Sequence, residues 1–117
     1  MAIIQIRDLS LRAIIGVQDW ERKKQQDLLI NISIEYDAEK AAKTDDIRNA
    51  VDYKAIKQNV VKLVESSNFN LVERLAQGIL DITMEDPRVM SATVTIDKPN
   101  ALRFSRSVAV TMTARRS

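Results

Sequence analysis

Apolar residues alternate along the first fifteen positions, with one fault in the phase. Ile4 and Ile6 share one parity, and Leu9, Leu11, Ala13 and Ile15 share the other. Successive side chains of an extended strand point to opposite faces, so the phase change at Arg7-Asp8 predicts a β-bulge inside one long strand. Gly16 ends that strand, and Val17 to Gln26 reads as a polar loop. From Leu28 the alternation is clean. Leu28, Ile30, Ile32, Ile34 and Tyr36 lie on one face, and Asn31, Ser33 and Glu35 on the other. These two runs predict an antiparallel pair with one side wet or facing a partner.

Lys40 to Val51 is a polar connection without a strong period. Asp52 is a good N-cap, and Tyr53, Ile56, Val60, Leu63 and Val64 follow at helical spacing. Asn68-Phe69-Asn70 breaks this helix. Asn70 is placed to cap a second one, with Val72, Leu75, Ala76, Ile79 and Ile82 as its apolar stripe and Pro87 beyond its end. Ala92, Val94 and Ile96 make a third strand, stopped by Pro99, and Val108, Val110, Met112 and Ala114 a fourth. The order β-β-α-α-β-β predicts an α+β fold over residues 1–117 as a single domain. Its four-stranded antiparallel sheet carries both helices on one face. Such a sheet leaves two open edges, and pairing them between subunits would close it into a barrel.

Composition narrows the chemistry. A single domain of 117 residues can bury a real core but has modest stability as a monomer, so oligomerisation would be no surprise. The absence of cysteine removes disulfides and thiolate chemistry, and the absence of histidine removes the commonest general base and zinc ligand. The acidic residues form no calcium-loop pattern, so no metal and no cofactor is expected. A net charge of +2 with scattered basic residues argues against nucleic acid, and Arg115-Arg116 reads as a solvated tail. Met1 to Gln5 lacks the regions of a signal peptide and no apolar run approaches membrane-spanning length. The expectation is a cytoplasmic protein without membrane contact.

Four places combine residues able to do chemistry. They are Ile15-Gly16-Val17-Gln18-Asp19-Trp20-Glu21 with Gln26 beyond it, Val51-Asp52-Tyr53, Asn70-Leu71-Val72-Glu73-Arg74-Leu75, and Ile96-Asp97-Lys98-Pro99. Each also has a plain structural reading. Glu73 stands three residues after Asn70, the spacing of a capping box. Tyr53 lies on an apolar stripe, Trp20 suits a packing anchor, and a lysine at a strand end is usually solvated.

Taken together in this order, the segments resemble the dihydroneopterin aldolase family, which includes the dihydroneopterin triphosphate epimerases. The resemblance runs from Ile4 to about Thr113. It rests on Ile15-Gly16 with Glu21 and Gln26 after it, the Asp45-Asp46 turn, Tyr53, Leu71-Val72-Glu73-Arg74-Leu75, and Lys98-Pro99. It implies the tunnelling fold, in which four subunits make a barrel ring and two rings often stack into an octamer, with active sites between subunits. It implies that Glu73 anchors the pterin's amino-pyrimidine edge and that Lys98 is the acid/base residue. Glu21 stands near that lysine, Tyr53 comes from the adjacent subunit, and Val72, Val51 and Gln26 complete the pocket.

Such residues suffice for a retro-aldol reaction on a dihydropterin. The carbanion normally needs zinc or a Schiff base, but the ring C=N bond beside the side chain accepts the electron pair as an enamine. The protein has only to orient the ring and move protons. Two activities share this step. Gly16 to Glu21, with its Asp-Trp-Glu run, looks like the aldolases and places aldolase first, with 2′-epimerase activity beside it. Asp97-Lys98-Pro99-Asn100-Ala101-Leu102-Arg103-Phe104, Ser107-Val108 and Gly78 to Ile82 look more like the triphosphate epimerases, whose aldolase relatives more often carry glycine and small residues after the lysine-proline pair. Arg103 and Arg106 then suit a triphosphate, or are simply solvated. A non-catalytic pterin-binding ring is the remoter alternative, against which Glu21, Tyr53, Glu73 and Lys98 all argue.

Overall fold

The computed structural model describes all residues, 1–117. Strands β1 (Ala2–Ala13) and β2 (Gln26–Tyr36) come first, then a short helix α1 (Glu39–Thr44) and a 3-10 turn at Ile47–Asn49. Helices α2 (Tyr53–Ser66) and α3 (Val72–Thr83) follow, then β3 (Val89–Pro99) and β4 (Ser107–Arg115). The strands form one antiparallel sheet in the order β1-β2-β3-β4, leaving β1 and β4 as its edges.

The expected bulge is present. Register between β1 and β2 shifts from Ile6 opposite Ile32 to Leu9 opposite Ile30. Asp8 takes a left-handed conformation at φ 57°, and its freed N–H donates to Asn31 Oδ1 at 2.9 Å. Sequence phase thereby becomes geometry. Ile4, Ile6, Leu9 and Leu11 all face inward because the bulge absorbs the extra residue.

Both long helices cover that inward face, α2 over β1 and α3 over β3 and β4. Ile30, Ile32, Ile34, Val94 and Ile96 from the sheet meet Val60, Val64, Leu75 and Ile79 from the helices, all fully buried. Burial of this kind, about 1.5–3 kcal/mol for each large side chain, is the main favourable term. The uncovered face is polar. Thr93 and Thr113 hydrogen-bond across strands at 3.1 Å, and Thr95 and Thr111 at 2.8 Å.

Three details differ from the sequence reading. First, β2 begins at Gln26, paired with Ala13, so the loop is shorter than Val17 to Gln26. Second, the segment from Lys40 carries most of helix α1. No residue of α1 is buried, so there was no apolar stripe to give it a period. Local contacts hold it instead: Lys43 meets Glu39 at 2.7 Å, and Asp45 closes the end in a left-handed conformation, donating to Ala41 O. Third, Asn70 does not cap α3. Leu71 occupies that position, and the Arg74 N–H donates to Leu71 O at 3.1 Å. Asn70 lies one residue too early for its side chain to reach the first-turn amides, so no capping box forms around Glu73. Asp52 does cap α2, accepting the Ala55 N–H at 3.0 Å.

The bulge gives a direct test. Asn31→Ala leaves the Asp8 amide without its acceptor and is expected to cost about 1 kcal/mol in urea unfolding. An unchanged midpoint would mean that the strands alone hold the bulge.

Candidate active site

The loop between β1 and β2 is folded around one carboxylate. Gly16 turns the chain at φ 117°, a conformation that L side chains rarely adopt. A β-carbon there would overlap the Glu21 carboxyl group, so glycine is required for space as well as for backbone. A tight turn follows, with the Glu21 N–H donating to Gln18 O at 2.9 Å. It folds Glu21 back until only 6% of the residue is exposed.

Three donors converge on that buried carboxylate. Lys98 Nζ donates to Oε2 at 2.8 Å, Gln26 Nε2 to the same oxygen at 3.2 Å, and the Gln18 N–H to Oε1 at 3.2 Å. The Lys98 hydrogen bond is the main reason the Glu21 carboxyl sits below its ordinary pKa. Burial pushes the other way and is outweighed, with the Gln18 and Gln26 donors adding to the lowering. Lys98 reaches the loop from the end of β3, where it pairs with Val108, and its side chain is only 16% exposed. The pair therefore joins elements far apart in sequence in a nearly dry setting, where leaving either partner alone is costly.

This pair opens on a 450 Å³ cleft whose walls include Trp20, Gln26 and Asn100. A larger cavity of 630 Å³ lies at the opposite end of the sheet, by Asp37, Lys43 and Arg88, and touches none of these residues. The chemistry-bearing groups mark the smaller cleft as the candidate site. No three Asp or Glu side chains come together anywhere in the chain in a way that would hold a metal ion.

Arg22 fixes the loop to the next piece of the site. Its guanidinium donates to Gly16 O and Phe69 O, both at 3.1 Å, and to Asn68 O, while the Gly16 N–H donates to Phe69 O at 3.4 Å. These bonds clamp the loop to the segment that leads into α3. Val72 and Glu73 stand on the first turn of that helix, Glu73 exposed and without an ion pair. Arg22 was not legible beforehand, because an arginine in a polar loop carries no sign of the carbonyls it will meet.

Tyr53 and Val51 lie elsewhere. Helix α2 is 14 residues long, about 21 Å, and its far end leads into the clamped Asn68–Phe69 segment. Tyr53 starts the helix, at the end remote from that clamped segment. It is 52% exposed, so it is not core, and Trp20, at 56%, is not a packing anchor. Val51 is buried beside Tyr53. Arg103 and Arg106 belong to the hairpin after β3, where Arg103 stacks on the fully exposed Phe104 at 5.5 Å. One chain thus assembles Glu21, Gln26 and Lys98, fixes Val72 and Glu73 on the adjoining helix, and leaves Tyr53 and Val51 at the other end of α2.

The family model for dihydroneopterin aldolase (FolB) matches residues 4–113. The chain belongs to the dihydroneopterin aldolase family. It is 44% identical to the dihydroneopterin triphosphate 2′-epimerase of Pseudomonas aeruginosa, covering 99% of this chain and 94% of that one. Identity to the corresponding Escherichia coli K12 epimerase is 42%, over 98% and 96% of the two chains. The E. coli K12 dihydroneopterin aldolase is 34% identical over 94% and 90%. Among solved structures, a putative dihydroneopterin aldolase from Vibrio cholerae superposes with a TM-score of 0.92 at 31% identity, over 99% and 98% of the chains. The E. coli aldolase in complex with neopterin gives 0.90 at 33% identity, over 97% and 99%. The architecture is the tunnelling fold of this family, as the resemblance implied, and the relatives are enzymes, lyases and epimerases alike.

The ion pair at the centre of this family member predicts a pH signature. Because the folded carboxyl titrates below its ordinary value of 4.5, its stabilisation is present above that pH and is lost as pH falls through the folded value. Glu21→Gln should cost about 1–3 kcal/mol at neutral pH. The gap to the unsubstituted protein should then narrow on acidification below pH 4.5, measured by denaturant unfolding at a series of pH values. A gap independent of pH would contradict a charged Glu21.

Proposed function

We propose that the chain is a dihydroneopterin triphosphate 2′-epimerase acting through a retro-aldol cleavage and re-addition on the dihydropterin side chain. The observation that carries this is its higher identity to the triphosphate epimerases than to the aldolases, spread over the whole chain. The segment from Asp97 to Val108, which resembles the epimerases, supports the same choice.

In this reading the ammonium of Lys98 first releases a proton to solvent as the substrate binds. The neutral amine then takes the proton of the 2′-hydroxyl, directly or through a water, and returns it after re-addition. The C1′–C2′ bond breaks, its electron pair passes into the ring C=N bond as an enamine, and C2′ leaves as an aldehyde. Re-addition of C1′ to the other face of that aldehyde gives the 2′ epimer, and escape of the aldehyde with protonation at C1′ gives cleavage. Glu21 orients Lys98 through the 2.8 Å hydrogen bond and stabilises its ammonium form whenever the lysine carries the proton. Gln26, whose amide also donates to Ile15 O at 2.6 Å, holds Glu21 in place. Glu73, free of protein partners, accepts two N–H groups of the amino-pyrimidine edge, a charge-assisted bidentate contact. Backbone groups at Val72 and Val51 line the ring. The dihydropterin supplies its own electron sink, so this route needs no metal or organic cofactor.

Tyr53 and Val51 enter from a second copy, where Tyr53 holds the water that bridges Lys98 to the side chain or reprotonates the enamine carbon. Edges β1 and β4 are both unpaired, and joining them between copies builds a closed ring in which the strands must be staggered. That stagger slides the middle of β1, with Tyr53 above it, towards the neighbour's Lys98. A homotetrameric ring or a pair of rings satisfies this, in the cytoplasm. No helix is long and apolar enough to cross a membrane.

Dihydroneopterin cleavage is the second reading, favoured by the Gly16 to Glu21 loop and by the superposition on the neopterin-bound aldolase. Incubation with dihydroneopterin triphosphate and, separately, dihydroneopterin, with products resolved by chromatography, tests the choice. The expected result is the 2′ epimer of the triphosphate as the faster product. Rapid release of 6-hydroxymethyl-7,8-dihydropterin and glycolaldehyde with the triphosphate untouched would make the chain an aldolase. Within either activity, Glu73→Ala should raise the neopterin Kd in calorimetry by at least about tenfold, which is about 1.4 kcal/mol. Lys98→Ala should change it far less, and equal losses would overturn the division of roles.

A further inference from the structure

Tyr53 is not the only exposed group at the start of α2. Lys54 follows it, and Lys57 stands one turn on. With Ile6 and Gln58 these three line a 380 Å³ cavity that contains no carboxylate. Lys54 also borders a neighbouring cavity of 380 Å³ formed by Ile47, Val51, Asp52 and Tyr53. Asp52 is the one acid there, and its carboxylate is engaged as the helix cap on the Ala55 N–H.

Several other cations near a cavity already have partners, whereas Lys24, Lys40 and Arg7 each stand alone in theirs without a second unpaired cation. Lys98 is held by Glu21 and Arg12 by Asp27 in the catalytic cleft, while Lys43 pairs with Glu39 and Arg88 with Asp86 at the far end of the sheet. Lys54 and Lys57 are in no ion pair. Three residues apart on a helix, they project from one face, and that face is also the one that presents Tyr53. Two uncompensated ammonium groups beside a tyrosine form a place for a multiply charged anion.

We propose that Lys54 and Lys57 bind the triphosphate of the substrate, on the protomer that supplies Tyr53 to a neighbour's Lys98. The inference rests on the triphosphate-epimerase reading and adds the specificity determinant which that reading lacks. It also fits the order of atoms in the substrate. The bond that breaks joins C1′ to C2′, and the phosphate chain begins on the next carbon, at the end remote from the ring that Glu73 anchors. Phosphates therefore extend past Lys98 towards the partner's contribution. A substrate without phosphates makes no use of the two lysines, so they discriminate between the two pterins without touching the reacting bond.

The double variant Lys54→Gln/Lys57→Gln changes exposed side chains and should fold normally. Its KM for dihydroneopterin triphosphate is expected to rise at least about tenfold, with kcat little changed and KM for dihydroneopterin altered by less than about twofold. Lys54→Arg/Lys57→Arg should restore the triphosphate KM. Calorimetry with inorganic tripolyphosphate should show binding to the unsubstituted protein and its loss in the glutamine variant. An unchanged triphosphate KM, an equal rise for both substrates, or a loss seen instead with Arg103→Gln/Arg106→Gln would each overturn the proposal. If the unsubstituted protein turns over neither substrate, the proposed function fails by itself. Tripolyphosphate then decides the lysine pair: binding lost in the glutamine variant supports it, and binding retained overturns it.

Discussion

The hydrogen-bonded ion pair between Glu21 and Lys98 is the contact that the rest of the site is built to hold. It spans 77 residues of sequence and joins the β1–β2 loop to the end of β3. Its carboxylate is buried, and a buried charge is tolerable only with several good partners. Lys98, Gln26 and the Gln18 N–H supply them, and no buried side-chain polar atom in the chain lacks a partner. Gly16, in a conformation open to glycine and strained for other residues, leaves room for that carboxylate. Arg22 then carries the same constraint outward, clamping the loop to the segment before α3 and so fixing where Glu73 stands.

The fold serves this arrangement by keeping strand ends in place. Eighteen buried apolar residues in one cluster lock the sheet to α2 and α3, and the Asp8 bulge keeps β1 in phase across its length. The same helix α2 separates two groups of candidate functional residues. Its C-terminal end reaches the clamped loop, while its start carries Tyr53 and the two unpaired lysines some 21 Å away. An enzyme that needs both groups must bring them together from two copies. In the proposed ring the open edges at β1 and β4 provide the means.

Much of this was legible in the sequence because period reports burial. The phase slip at Arg7-Asp8, the clean alternation from Leu28, and the stripe from Leu75 to Ile82 all translate directly into inward-facing side chains. The Asp52 cap was equally readable, since its side chain acts on amides next to it. Asn70 failed because a capping decision turns on a single residue of register, and Leu71 took the position with a backbone contact alone. Helix α1 was invisible because nothing in it is buried. In the site, resemblance named Glu21 and Lys98 as neighbours and Gly16 as part of the motif, but the Arg22 clamp on Asn68 and Phe69 is a long-range fact without a local signal. The Gly16 to Glu21 loop and the Asp97 to Val108 segment pointed to different members of the family, aldolase and epimerase, which share one retro-aldol step in the proposed mechanism.

In the proposed mechanism Lys98 and Tyr53 act on one substrate from different protomers. Co-expression of Lys98→Ala and Tyr53→Ala, each expected to be inactive alone, with purification of the mixed assembly, is the test. Some interfaces in that assembly pair an intact Lys98 with an intact Tyr53, so turnover is expected to return to a measurable fraction of the unsubstituted rate. A mixed assembly as inactive as either variant alone would contradict it.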